Sequence, residues 1–175
     1  MYKPRRCATE SVNPNVSRSM AAEWETPEGL FRELDNEFHF TLDAAAQPYN
    51  AKCARFFTPK EDGLKQSWRG ERVFCFPPSG TAAFRKWVEK ASEEAHHRGT
   101  TVVMLLPVST DSQWFKKYIY LHKGVTIRFL KERVSYTNRT LPSWAEYGLP
   151  TKKASPGTRA SMVVIFHGNK KFCVE

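Results

Sequence analysis

The run Thr100–Val108, TTVVMLLPV, constrains the fold more than any other stretch of the 175 residues. It is almost continuously apolar and lacks the alternation of a strand with one wet face. Both of its faces must therefore be covered, as in the middle of a parallel sheet. It is also far short of the ~20 apolar residues that span a membrane. Val73–Phe76 and Ser161–His167 (SMVVIFH) read as two further apolar strands. Between the first two strands, Phe84, Trp87, Val88, Ala91 and Ala95 repeat at helical spacing. That spacing predicts an amphipathic helix over residues 81–98, ended by Gly99. Strand, helix, strand, helix, strand is the order of an α/β domain with a largely parallel sheet. Ligands of such sheets sit at the carboxyl ends of the strands.

The remaining segments fit around that frame. Residues 1–22 read as a mobile basic arm, with Pro4, Pro14, Asn13, Asn15 and several serines. Residues 23–175 read as one domain. Thr26-Pro27 resembles an N-cap followed by proline at the first helical position. Leu30, Phe31, Leu34 and Phe38 then share a helical face, which predicts a helix from Pro27 to Glu37. Phe40–Asp43 reads as a short strand ending in an acid, Ala54–Thr58 as a further strand, and Glu61–Trp68 as a loop with a helical turn. Asp111 is positioned to cap a helix running to about Leu121. Val125–Leu130 and Arg133–Tyr136 read as two strands or one bulged strand. Residues 138–160 hold Pro142, Pro150, Pro156, Gly148 and Gly157 and form a long loop. Asp43, Phe76–Gly80 and Pro107–Asp111 all fall at strand ends, where they can meet in one cleft.

Charge narrows the partners. The formal net charge is +9. From Glu23 to Leu64 nine acids face four bases, whereas from Lys116 to Arg139 seven bases face one acid. A basic second half suggests a polyanion, most simply nucleic acid. The four cysteines, Cys7, Cys53, Cys75 and Cys173, show no C-x-x-C pair and no zinc spacing with histidine. They read as reduced thiols, with neither disulfide nor metal, in a cytoplasmic protein. Residues 1–20 lack the apolar stretch of a signal peptide.

The chemistry centres on Phe76-Pro77-Pro78-Ser79. Two prolines after a strand fix their own φ and have no N–H to donate, so the turn is stiff. Amino-methyltransferases use this backbone device, in a motif that reads Asn/Asp/Ser-Pro-Pro-Tyr/Phe/Trp. The first side chain aligns the amino lone pair with a methyl group, and the aromatic stacks on an extruded base. Here Phe76 stands at the first position and Ser79 at the fourth. A rigid structural turn is the other reading of the motif taken alone.

Five stretches, in order over residues 23–167, resemble the phage-type DNA adenine N6-methyltransferases. Glu23-Trp24-Glu25-Thr26-Pro27 is similar to a W-x-T-P element. Leu42-Asp43-Ala44-Ala45-Ala46 with Asn50-Ala51-Lys52-Cys53 resembles L-D-x-x-A…N-A-x-C. Glu61-Asp62-Gly63-Leu64…Trp68 resembles D-x-L…W. Phe76-Pro77-Pro78-Ser79-Gly80 stands where N-P-P-Y-G belongs. Leu106-Pro107-Val108-Ser109-Thr110-Asp111…Trp114-Phe115 resembles L-P-x-x-T-D…W-F.

The resemblance implies a class I, Rossmann-like methyltransferase fold, mostly parallel with an antiparallel C-terminal strand. It also implies S-adenosylmethionine as cofactor and duplex DNA as substrate. By position, Asp43 meets the cofactor, and Thr26 and Pro27 wall its methionine end. Asp62 accepts from the cofactor's adenine amino group, with Leu64 beside the ring. From the residues alone, Asp43 can also be a helix cap and Asp62 an Asp-Gly turn residue. The candidate DNA contacts are Lys116, Lys117, Arg128, Lys131, Arg133, Arg139, Lys152 and Lys153. Trp144 and Tyr147 either enter a groove or pack under the loop. The implied reaction is methyl transfer to a flipped adenine. The alternatives are a catalytically silent DNA- or protein-binding homologue and an enzyme repurposed to another base or group.

Overall fold

A computed structural model describes residues 24–78, 80–97, 99–138 and 160–168. The expected arm at 1–22, Ser79, and nearly all of the loop at 138–160, with Arg139, Trp144, Tyr147, Lys152 and Lys153, lie outside the described residues.

Seven strands and three helices are described: β1 (Trp24–Glu25), α1 (Glu28–Phe38), β2 (Leu42–Asp43), β3 (Arg72–Cys75), α2 (Thr81–Glu94), β4 (Thr101–Pro107), α3 (Gln113–Tyr118), β5 (Val125–Phe129), β6 (Thr137–Asn138) and β7 (Ser161–Phe166). Five form the main sheet, in the order β2-β3-β4-β7-β5. β2, β3 and β4 pair in parallel, while β7 runs antiparallel to both β4 and β5. The domain is mixed α/β, and four strands share one direction. The apolar run is β4, buried along Val102–Leu106, but one of its neighbours is the antiparallel β7.

Helices cover both faces. On one, Phe31 and Leu34 of α1 pack on Phe74, Val103, Leu105, Val163 and Ile165. On the other, Trp87, Val88 and Ala91 of α2 and Trp114, Phe115 and Tyr118 of α3 meet Val73, Cys75, Val102, Met104 and Leu106. Odd and even residues of each strand thus supply opposite faces. That two-sided cover is why the strands are apolar throughout.

Several boundaries differ from the expectation. Pro27 takes the N-cap position of α1, and no side chain caps it, so Thr26 is not the cap. α2 ends at Glu94, five residues before Gly99, because the next amides of His96 and His97 bond three residues back, to Glu93 and Glu94. Such tight turns are common at helix ends. Ser112, not Asp111, caps α3, its Oγ accepting from the Phe115 N–H at 3.4 Å, and the helix stops at Tyr118. Arg133–Tyr136 is not a strand; β6 follows it. Of Ala54–Thr58, only Phe56 bridges to Asp43.

Candidate active site

β2 and β3 end side by side. The Ala44 N–H continues their pairing to the Phe74 carbonyl at 3.0 Å. The chain then turns through Ala44–Ala46, and the Asp43 carboxylate organises that turn. Its Oδ1 accepts from the Ala45 N–H at 3.3 Å and its Oδ2 from the Lys52 N–H at 3.0 Å. Asp43 is only 3 % exposed. Burial pushes its carboxyl up to about 6, against the opposing pull of the two amides and Lys52.

A second loop, residues 58–68, closes over this turn. Thr58 donates its N–H and hydroxyl to Glu61 Oε2 at 2.8 and 3.0 Å. Asp62 sits at φ 53, and its Oδ1 accepts from the Leu64 N–H at 3.3 Å, a local turn that asparagine and aspartate favour. Gly63 is required for the close approach, since a Cβ there would lie 2.2 Å from the Ala44 carbonyl oxygen and 3.0 Å from the Trp87 ring. The Trp68 indole donates to the Gly63 carbonyl at 3.0 Å and locks the loop down. Glu94 of α2 accepts the Trp68 N–H, also at 3.0 Å.

The Pro-Pro turn leaves the end of β3. Pro77 is buried, Pro78 exposed and Phe76 half-buried. The Phe76 ring stacks on Tyr136, with centroids 5.2 Å apart and planes 8° from parallel. The Tyr136 hydroxyl and Ser161 Oγ are 2.7 Å apart. Burial raises the Tyr136 phenol, and the Ser161 contact partly counters this. Directly after Tyr136, β6 pairs antiparallel with β1, bringing Trp24 opposite Asn138.

These pieces bound one cavity of about 500 Å³, a volume suited to a cofactor-sized ligand. It is lined by Trp24, Ala44–Gln47, Asn50, Phe57–Pro59, Asp62–Leu64, Phe76–Pro78 and Trp87. Of the expected site residues, Asp62, Leu64, Phe76, Pro77 and Pro78 therefore meet. Asp43 lies beneath the wall rather than in it, and Thr26 and Pro27 do not line it either. Nor does Pro107–Asp111, so two of the three strand ends share the cleft. Beyond β4, the Val108 N–H bonds the Ala160 carbonyl at 2.8 Å, which ties that end to β7's approach. The aromatics Trp24, Phe57 and Trp87, together with Asn50 and Thr58, were not singled out as site residues. Trp24 and Asn50 nonetheless stood inside motif stretches, the one signal that could have found them.

A profile of the family described as DNA N-6-adenine-methyltransferase (Dam) matches residues 13–172. The chain belongs to that family. It is 30 % identical over 130 residues to a DNA N-6-adenine-methyltransferase of Haemophilus phage HP1, a match covering 73 % of this chain and 69 % of that protein. It is also 31 % identical over 94 residues to one from Escherichia phage T1, covering 53 % of this chain and 38 % of that one.

The cleft's residues fit the methyl donor that a methyltransferase family requires. Small Ala44–Ala46 allow close approach, and apolar Leu64 and Phe57 stand beside a carboxylate, Asp62. The buried Thr26 Oγ1 has no hydrogen-bond partner. Asp62 is also shared, since Lys65 lies 3.1 Å from its Oδ2. Asp62 thus shapes a turn, as its Asp-Gly reading expected, and it also lines the cleft. No group of metal-ligating side chains occurs among the described residues. Cys53 and Cys75 are free thiols; Cys7 and Cys173 lie outside the described residues. No described helix is long and apolar enough to cross a membrane.

The expected DNA contacts divide by their partners. Arg128 grips Glu37 of α1 with two nitrogens at 2.5 and 2.6 Å and lies 5.6 Å over the Phe38 ring. It clamps β5 to α1. Lys117 stands 4.7 Å over Tyr118 and 4.0 Å from Glu89. Lys116 and Lys131 are exposed. Arg85, one turn into the helix that follows the Pro-Pro turn, is exposed as well and close enough to Lys117 for the two charges to repel.

Proposed function

We propose that this protein is a class I, S-adenosylmethionine-dependent enzyme that methylates the N6 amino group of an adenine extruded from duplex DNA. The observation that carries this is the single cleft joining Ala44–Ala46, Asp62 and Leu64 on one side to Phe76-Pro77-Pro78 on the other. A cofactor wall and a base-presenting turn at the same sheet edge are what such a transfer needs. The strand order supports the class I reading, with antiparallel β7 inserted beside β4.

In this reading Ala44–Ala46 and Gly63 make room for the cofactor, which supplies an electrophilic methyl group. Asp62, which lines the cleft, is its polar side-chain contact. The carbonyls of the Pro-Pro turn, with no proline N–H to compete, accept from the adenine amino group. The nitrogen lone pair would form the new N–C bond as the methyl–sulfur bond of the bound donor breaks and its electron pair stays on sulfur, and the amino group would then lose its proton to solvent. Phe76 accepts no hydrogen bond, so one aligning contact is missing. Loss of such a group typically costs about 10²–10³ in rate. The exposed Lys116 and Lys131 supply phosphate contacts, and beyond the described residues Arg139, Lys152 and Lys153 add more.

The test is transfer of tritium from labelled S-adenosylmethionine to DNA devoid of methyladenine, with the product nucleoside identified by mass spectrometry. N6-methyladenine is expected. No incorporation at enzyme excess overturns the reading. The absent acceptor at Phe76 favours one second reading, a silent homologue that keeps the cleft as a DNA-binding scaffold. Its mark is salt-sensitive DNA binding without calorimetric binding of the cofactor.

A further inference from the structure

Ser79 removes the ring on which a base would stack, but a different ring pair stands at the same turn. Phe76 borders the cleft. Tyr136 does not line it, yet lies nearly parallel to Phe76 at 5.2 Å. Tyr136 therefore supports Phe76 from outside the cavity. Its own position is fixed twice, by the hydroxyl contact to Ser161 at 2.7 Å and by the β6 pairing that begins at the next residue. Ser161 opens β7, an interior strand between β4 and β5, and is 2 % exposed. The stack is thus anchored to the core rather than to a loop.

We propose that Phe76 is the surface on which the extruded base stacks, and that Tyr136 is the positioning residue that holds it. The proposal rests on the base-presenting role of the cleft and assigns that role to residues outside the fourth motif position. A rigid aromatic ring gives a sequence-tolerant platform, because every base has a π-face. A ring held by a second ring and a buried serine loses little further freedom when a base lands on it. The ligand class is a purine gripped through its faces, with little contribution from the Phe76 side chain to its amino edge.

The probe is free 2-aminopurine riboside, whose fluorescence is quenched when it stacks. It is titrated into wild type, Phe76→Leu, Tyr136→Leu and Tyr136→Phe. Wild type is expected to quench the probe saturably. Phe76→Leu is expected to bind it about 5- to 150-fold more weakly, the range for losing one base–aromatic stack, and Tyr136→Leu, which keeps the Phe76 ring but not its support, at least about fivefold more weakly. Tyr136→Phe keeps the ring and should stay within about threefold of wild type, since it loses only the Ser161 contact. Leucine variants that bind like wild type, or a wild type that never quenches up to the probe's solubility, overturn the proposal. Calorimetry with S-adenosylmethionine and thermal melting on the same preparations separate the outcomes. A variant that melts like wild type and keeps cofactor affinity has lost the platform alone. A wild type that binds the probe but no cofactor sinks the methyltransferase reading instead.

Discussion

Phe76 and Ser79 stand at the first and fourth positions of the family's motif, where an aligning group and a stacking ring belong. An amide or carboxylate at the first position aligns the amino group, and a ring at the fourth holds the base. If Phe76 has taken over stacking, Phe76→Asn alone restores alignment while removing the platform, and little gain in methylation is expected. The double change Phe76→Asn, Ser79→Tyr restores both, and tritium incorporation should rise about 10²-fold or more. A folded double mutant no faster than wild type shows that the site has diverged elsewhere too. Asp43 makes a separate prediction. Its ordinary value is 3.8, and burial raises it to about 6. The folded protein thus holds this proton at higher pH than the unfolded chain does. The stability tied to it is complete below about pH 4 and lost as pH rises through about 6, on the order of 3 kcal/mol by neutral pH. Glu28, paired mainly with Lys52, and Glu37, paired with Arg128, are lowered and behave in the opposite sense. The informative quantity is therefore a difference. The melting temperature of Asp43→Asn minus that of wild type should climb between about pH 4 and 7. A flat difference shows that Asp43 does not titrate in this window.

At the scale of elements, long apolar segments were legible in the sequence and short or tertiary ones were not. β4 and β7 are buried on both faces, so their composition announces them, and α2 buries a stripe that its spacing displays. The β1–β6 ribbon has two residues per strand. No periodicity can be read from two residues, and its partners are more than a hundred positions apart. Arg133–Tyr136 has strand-like composition because Val134 and Tyr136 pack inward, Tyr136 onto Phe76, without any ladder. Asp43 was placed correctly at a strand end. What its carboxylate meets depends on Ala45 and Lys52, and only the folded turn shows that. The loop over residues 58–68 was legible as a loop, but Gly63's reason for being glycine was not. Gly63→Ala places a methyl group against the Ala44 backbone, which cannot swing aside as a side chain can. We expect a loss of about 1–3 kcal/mol in denaturant unfolding. Weaker calorimetric binding of S-adenosylmethionine should accompany it, because Ala44 and Leu64 part. Unchanged stability and affinity show that the loop can shift freely.

For the whole molecule, the acidic first part and basic second part are not two separate surfaces. Glu37 of the acidic segment and Arg128 of the basic one hold α1 to β5, so some of the sequence's charge asymmetry is consumed inside the fold. Counting lysines and arginines in the sequence cannot separate a clamp from a phosphate contact; partners can. Arg128 and Lys116 consequently predict different phenotypes. The logarithm of DNA affinity falls with the logarithm of salt at about 0.9 per phosphate neutralised. Lys116→Ala, and likewise Lys131→Ala, should lower that slope by about one and weaken binding evenly across sequences. Arg128→Ala should leave the slope unchanged. It removes an ion pair about half exposed on both sides, so its stability cost should stay under about 1 kcal/mol. Fluorescence anisotropy of a labelled random duplex over a salt series reads the slopes, and urea unfolding reads the clamp. A slope that drops in Arg128→Ala shows that DNA competes with Glu37 for the guanidinium and opens the α1–β5 contact on binding.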